Sequence, residues 1–367
     1  MKKQLKNLVK RLKREKKNEF LLAKNFIESI KKDEKILIIH DKDLDGICSG
    51  IILIKTLEKI GIGKIYSRPL SIRDILEKNE LEKLNFKKFS KIIVLDLAIY
   101  QAQKNSKFFE KDILIIDHHP IFPKLKNKRI VLLNPRKKHP EIYQPTSYIT
   151  YKFCSALTYI KDLEWLAVLG TIADYGYEDC KDLLKKYVRI KKKDCLWRTK
   201  FGKSANLLSA YISIFGEKKA FDFLKKCENI NEILKNEKLK ATFEKYKKLI
   251  KIKEEEFWKN AEIFPELNLI FAIISKKKEI SGSVIASKVS TKNPDKIIIL
   301  LEKSDGYFKI HGRNQSGRIH MGNLLRYSTL SRGGGHREAG GASINVKDLE
   351  SFKKRFINKL KRNKVKI

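Results

Sequence analysis

Three regimes of hydrophobic spacing divide this 367-residue chain. Over the first thirty residues Leu5, Leu8, Leu12, Phe20, Leu21, Phe26, Ile27 and Ile30 recur at a helical period among many lysines. That pattern predicts a basic amphipathic helix packed on its own domain. From about 35 to 175 short apolar runs alternate with helical periods. Ile36–His40, Lys64–Arg68, Lys91–Leu95, Ile113–Ile116 and Ile130–Leu133 read as strands, and Gly46–Ile60, Thr146–Ile160 and Leu163–Ile172 as helices. Apolar runs of four with polar flanks suit strands buried on both faces, so a doubly wound parallel sheet is expected. From about 180 to 262 lysine-rich helical segments take over, ending in a long helix from about Leu239 to Ala261. Strand signals return at Leu269–Ile274, Lys296–Leu301 and Gly306–Ile310. The expected class is therefore α/β: a domain over 1–178 carrying the basic N-terminal helix, a helical insert and linker helix over 179–264, and a smaller α/β domain over 265–367.

Composition narrows the setting. Lys and Arg number 81 against 43 Asp and Glu, a formal charge of +38. Basic surface binds phosphate backbones by releasing their condensed counterions, so a polyanionic partner, nucleic acid above all, is expected. No apolar run is long enough to span a bilayer, and the N-terminus lacks the apolar stretch of a secretory signal. A cytoplasmic protein with no membrane partner is expected. Cys48, Cys154, Cys180, Cys195 and Cys227 are scattered without a C-x-x-C pair, which points to idle or buried thiols rather than a disulfide framework or a zinc site.

The chemistry gathers where the strands stop. Ile36–Ile39 gives way to His40-Asp41-Lys42-Asp43-Leu44-Asp45-Gly46; Ile92–Leu95 ends at Asp96; Ile113–Ile116 ends at Asp117-His118-His119. In open α/β sheets ligands bind outside the carboxyl ends of the strands, so these groups should converge. The alternation of Asp41, Asp43 and Asp45 places them on one side of an extended segment. Carboxylates so close repel one another unless cations neutralise them. An Asp/His set without thiolates suits Mn²⁺ or Mg²⁺, with zinc admissible. Two cations about 4 Å apart are the usual arrangement for phosphoester hydrolysis. Asp174, at the end of an apolar helix and two residues before Gly176, fits a ligand and a capping or turn role equally. Gly312-Arg313-Asn314-Gln315-Ser316-Gly317-Arg318 and Arg332-Gly333-Gly334-Gly335-His336 offer arginines and glycines suited to an anion, a weak signal by itself.

Taken together these motifs resemble the DHH phosphoesterase superfamily over roughly residues 33 to 350. Asp43-x-Asp45-Gly46, Asp96, Asp117-His118-His119 and Asp174 look like its four N-terminal motifs in order, and Gly333-Gly334-Gly335-His336 looks like the G-G-G-H of its associated substrate-binding domain. The resemblance implies one cation held by Asp43 and Asp96, and a second held by Asp45, Asp96, His118 and Asp174. It also implies that His119, with Asp117, acts beside the scissile phosphate. Arg313, Asn314, Gly333, Gly334, Gly335 and His336 would bind substrate. Many relatives place a histidine on the first cation; here His40 and Asp41 both stand near, and extended alternation favours Asp41. His139, His311 and His320 match no motif and suit surface or structural roles.

Within the superfamily the basic charge and the helical insert favour a RecJ-like single-strand-specific exonuclease. With no spare length for an additional OB-fold, a shorter archaeal-type architecture fits better. The implied partners are single-stranded nucleic acid and, by resemblance only, GINS or other replication proteins. The alternative is a phosphodiesterase of short oligonucleotides or cyclic dinucleotides, similar to the nanoRNases. A catalytically dead scaffold is disfavoured because nearly every ligand position is filled.

Overall fold

A computed structural model describes residues 19–72, 74–75, 80–102, 107–121, 127–189 and 193–364. Leu5, Leu8 and Leu12 of the expected N-terminal helix lie outside the described residues. Helix α1 is described over 19–28, where Ala23, Phe26 and Ile27 are buried. The chain forms two compact units, Met1–Lys240 and Ala241–Ile367.

In the first unit, strands β1 (Ile36–His40), β2 (Ile65–Pro69), β3 (Lys91–Leu95), β4 (Ile113–Ile116) and β5 (Ile130–Leu133) form one parallel sheet in the order β2-β1-β3-β4-β5. The all-apolar runs are explained by burial on both faces. Leu37, Ile39, Ile92, Val94, Ile113 and Ile115 pack with Phe89, Phe108 and Phe109 on one side. Ile36, Ile38, Ile93 and Leu114 point the other way and are fully buried. There they meet helices α2 (Leu44–Lys59) and α3 (Thr146–Cys154), which pack on each other and on α4 (Glu164–Ala173). Each such side chain contributes about 1.5–3 kcal/mol by leaving water, so the sheet centre is held firmly. Helices α5 (Lys200–Phe215), α6 (Glu217–Lys226) and α7 (Ile230–Lys235) follow.

In the second unit, β6 (Ala261–Phe264), β7 (Leu269–Ser275), β8 (Ile297–Ser304), β9 (Tyr307–Asn314), β10 (Gly333–Gly335) and β11 (Ala339–Asn345) form a mixed sheet in the order β10-β11-β9-β8-β7-β6. One face packs on α10 (Met321–Ser328) and α11 (Leu349–Lys364) through Met321, Leu325, Phe352 and Phe356. The other packs on α8 (Glu237–Lys259) and α9 (Gly282–Lys292) through Phe257, Ile285 and Val289.

The architecture agrees with the expected α/β class, and the differences lie at element ends. The helix expected over Thr146–Ile160 stops at Cys154. After it the amides of Ala156 and Leu157 donate to carbonyls three residues back, those of Phe153 and Cys154 (3.1 and 2.9 Å), so the last turn tightens and the helix ends. Ala261 leaves the long helix to pair with Ala272 in β6 and β7. The glycine-rich segment, read as a loop, is a short strand: Gly333–Gly335 pairs with Gly340–Ala342. Cys48, Cys154, Cys180 and Cys227 are free and buried.

Candidate functional site

The acids sit where they do because each continues the parallel ladder by one rung. The amides of Asp41, Asp96 and Asp117 donate to the carbonyls of Leu95, Ile116 and Leu133 at 3.2, 3.0 and 3.2 Å. Three neighbouring strands therefore release their first polar side chain at one level. Asp96 does so with φ +61°, a left-handed backbone that non-glycine residues seldom hold away from functional sites. Asp43 caps α2 by accepting from the Gly46 amide at 2.9 Å. Glycine is required at 46 for close approach: a Cβ there would lie 2.6 Å from the Asp41 carbonyl oxygen.

Three sets of ligand atoms lie within 4.8 Å of one another: Asp41, Asp43 and Asp96; Asp45, His118 and Asp174; and Asp96, His118 and His119. Asp96 and His118 each occur in two sets. His118 Nε2 lies 3.3 Å from Asp96 Oδ1 and 3.6 Å from Asp174 Oδ2. Its Nδ1 is buried with no hydrogen-bond partner among the described residues.

The electrostatics are those of an under-compensated pocket. Burial and the neighbouring Asp43 charge push Asp41 up to about 7. Burial raises Asp174 to about 6, and burial with the Asp174 and Asp43 charges drives Asp45 well above the carboxylate range. Asp96 rises for the same reasons, with Asp45, Asp43, Asp41 and Asp117 all facing it. Burial lowers His118 to about 4, which leaves its imidazole neutral and fit to offer a lone pair. Buried acids with one neutral imidazole and no thiolate fit hard divalent cations, which would remove the repulsion.

Asp117 stands apart from these sets. It is fully buried, accepts from Tyr100 OH at 3.1 Å and holds His119 Nδ1 at 2.8 Å. Burial opposes its charge, but the His119 hydrogen bond and charge outweigh that and lower it. Burial would lower His119, yet the Asp117 hydrogen bond and charge raise it. His119 remains 40% exposed at its side chain, and only its Nδ1 is held by Asp117.

His40 is a satisfied core histidine. Its Nδ1 lies 2.7 Å from the Asp41 carbonyl oxygen, its Nε2 3.2 Å from Ser67 Oγ, and its ring stacks on Phe221 of α6 at 5.1 Å. Lys42 turns away from the acids to Asp74 (2.9 Å) and Glu217 (3.3 Å). One contact thus joins α6 to the end of β1 and another to the loop that carries Asp41 and Asp43.

Several supporting residues carry no sequence motif. Thr146 donates its amide to Asp45 Oδ2 (2.7 Å) and its hydroxyl to Asp96 Oδ1 (2.9 Å), and the Ser147 amide donates to Asp45 Oδ1 (3.0 Å). Tyr143 OH donates to Asp174 Oδ2 at 2.7 Å. A Cβ at Gly170 would meet Ser147 Oγ at 2.4 Å and Asp45 Oδ1 at 2.9 Å, so the packing of α4 on α3 needs glycine there. The only hint was Pro145-Thr146-Ser147, a helix start with amides facing outward.

Arg313 lies on β9 in the second unit, donating Nε to Ser287 Oγ (3.0 Å), Nη2 to Ser283 Oγ (2.7 Å) and Nη1 to the Gly312 carbonyl (2.9 Å). Asn314 is buried, donating to the Ile319 carbonyl and accepting from Ser316. Gly333 and Gly334 are half-buried, while Gly335 and His336 are exposed. Of the remaining histidines, His311 is buried 3.4 Å from Glu302, His320 caps α10, and His139 lies 3.4 Å from Glu141.

The DHH family N-terminal domain matches residues 35–174 and the DHHA1 domain matches residues 267–362. The single-stranded-DNA-specific exonuclease RecJ of Bacillus subtilis (strain 168) is 30% identical over 158 residues, 40% of this chain and 20% of the relative. The chain thus matches about a fifth of that relative's length. RecJ from Thermus thermophilus in complex with Mn²⁺ superposes with a TM-score of 0.69 at 16% identity, covering 95% of this chain and 55% of that one. A pGpG-specific phosphodiesterase of Vibrio cholerae gives 0.51 at 15% identity, covering 90% of this chain and 100% of that one. No helix among the described residues is long and apolar enough to cross a membrane.

Proposed function

Since the chain belongs to the DHH superfamily and has a RecJ-like fold, we propose that it is a metal-dependent phosphodiesterase acting on a single nucleic-acid strand from an end. The observation that carries this reading is the set of Asp41, Asp43 and Asp96 beside the set of Asp45, His118 and Asp174, with His118 Nε2 3.3 Å from Asp96 Oδ1. Asp41, Asp43 and Asp96 would hold one divalent cation, and Asp45, Asp96, His118 and Asp174 the second. Mn²⁺ or Mg²⁺ bound there supplies charge neutralisation of the phosphoryl oxygens and activation of the attacking water. Thr146, Ser147 and Tyr143 hydrogen-bond the carboxylates of Asp45, Asp96 and Asp174 and so orient them. His119 carries the proton. Asp117 anchors its Nδ1 and raises its basicity, so its other ring nitrogen can protonate or hydrogen-bond the scissile phosphate.

In the second unit Arg313 and His336 would hold the strand's phosphate or terminal nucleotide, beside Asn314 and Gly333–Gly335. The charge of +38 favours a long polyanion over a dinucleotide, which needs only a local basic pocket. One observation favours a second reading. The chain covers the whole of the Vibrio cholerae phosphodiesterase, so short oligonucleotides are the alternative substrate.

The test is hydrolysis of 5′- and 3′-labelled strands, as DNA and as RNA, with Mn²⁺ and an Asp117→Ala control. Rates on dinucleotides and on strands of about 20 bases are compared across salt, the steep salt slope belonging to the long strand. Shortening of the long strand from one end supports the exonuclease. Faster turnover of dinucleotides supports the alternative, and inertness toward both with metal bound refutes the phosphodiesterase reading.

A further inference from the structure

The second unit presents a hollow that none of the motifs includes. It lies beside α10 and α11, with a volume of about 480 Å³, and is lined by Asn323, Arg326, Tyr327, Leu330, Ser331 and Arg355. Two of its residues are large and apolar yet open to solvent, Tyr327 at 47% and Leu330 at 69%. Leu330 and Ser331 hold consecutive left-handed backbones, φ +55° and +73°, although neither is glycine. The turn is closed by the Ser331 amide on the Arg326 carbonyl at 2.8 Å. It holds Leu330 outward beside the Tyr327 ring instead of letting it fold into the core.

The surroundings are cationic. Among the described residues no carboxylate lies within salt-bridge distance of Arg326, Arg355 or Lys359. Arg355 Nε donates to the Ser328 carbonyl at 2.9 Å, which fixes its guanidinium at the wall of the hollow. Lys359 Nζ sits 5.0 Å from the Tyr327 ring centroid. An exposed tyrosine, an aliphatic wedge and cations without salt-bridge partners together match an unstacked nucleobase with a phosphate on either side. A duplex keeps its bases stacked on each other and has no free face for Tyr327.

We propose that this hollow is a secondary binding site for single-stranded nucleic acid, in which one base stacks on Tyr327 against Leu330 while Arg326 and Arg355 take the flanking phosphates. The proposal deepens the exonuclease reading and rests on it.

The test measures anisotropy of a fluorescein-labelled strand of twenty thymidines with the full chain in EDTA, so that binding is read without hydrolysis. Tyr327→Ala should weaken binding about 5- to 20-fold, whereas Tyr327→Phe, which keeps the ring, should stay within about twofold of wild type. Arg326→Ala with Arg355→Ala should reduce the slope of log affinity against log salt by about 1.4, two phosphates' worth for a single strand. Thermal melting of each variant confirms that it is folded. If the wild type degrades the strand with Mn²⁺ while both the Tyr327→Ala and the double-arginine variants bind it unchanged, the hollow is overturned and the exonuclease reading stands. If the wild type neither binds nor degrades the strand, the exonuclease reading falls and the hollow with it.

Discussion

Two groups of buried acids in the first unit are built on opposite terms. Glu164, at the start of α4, is 1% exposed and is met by Lys161, Lys186 and Tyr187 at 2.5, 2.9 and 2.7 Å. Burial alone would raise its pKa, but those partners, Lys161 foremost, outweigh burial and hold it at about 2. Asp41, Asp45, Asp96 and Asp174 are met by neutral donors and one another, with no Lys or Arg within salt-bridge distance among the described residues, and burial with mutual repulsion raises them all. Glu164, Asp45 and Asp96 are buried and Asp41 and Asp174 half-buried; compensation separates Glu164 from the others. A buried acid with its cations in the chain is architecture. One that lacks them needs a ligand, and that is the physical sense in which the strand ends form a site.

The sharpest way to break this contrast is Asp96→Asn. Asparagine tolerates the left-handed backbone and keeps the shape but removes the shared charge. Hydrolysis should fall by at least roughly 1,000-fold, since both proposed cation sites lose a ligand. In EDTA the variant should nevertheless melt higher than wild type, because repulsion has been relieved. A lower melting point for the metal-free variant would show that Asp96 is compensated after all.

A smaller effect is expected at the contacts that join α6 to the end of β1 and to the first acidic loop. Phe221→Ala removes the ring stacked on His40, and Glu217→Gln weakens the pair with Lys42. Neither residue touches the acids. Mn²⁺ affinity measured by calorimetry should drop roughly 10-fold, as for residues that orient ligands. Unchanged affinity would mean that the loop holds Asp41 and Asp43 without α6.

Smallest is Glu164→Gln, the counterpart on the compensated side. Turnover should be unaffected at neutral pH, while the melting temperature drops by roughly 2–6 °C. The sign with pH follows from its depressed pKa. Its stabilisation is fully present above the ordinary Glu value near 4.5 and is lost as pH falls toward about 2. The gap between variant and wild type should therefore close below about pH 4.5, which melting curves across that range would show.

Much of this was legible because strand ends are marked twice, by an apolar run that stops and by the polar residue on which it stops. Ile36–Ile39, Ile92–Leu95 and Ile113–Ile116 predicted neighbouring parallel strands, and the acids after them were bound to meet. The residues that fix the acids were not legible. Thr146 and Ser147 act through backbone amides at a helix start 101 positions from Asp45, and amides carry no signature in a sequence. Tyr143 and Tyr100 read as ordinary aromatics. Strands β10 and β11 were missed because a glycine-rich run has turn composition, and only the pairing of β11 with β9 and of β10 with β11 makes it a sheet edge. The expected helix beyond Cys154 ends where the amides of Ala156 and Leu157 turn to carbonyls three residues back, a switch no periodicity reveals.

The account turns on two cations sharing Asp96. Calorimetric titration of the metal-free chain with Mn²⁺ should give two sites per chain, with Asp96→Asn losing high-affinity binding at both. A single site in the wild type, or an Asp96→Asn variant that still binds two Mn²⁺ ions with wild-type affinity, would contradict it.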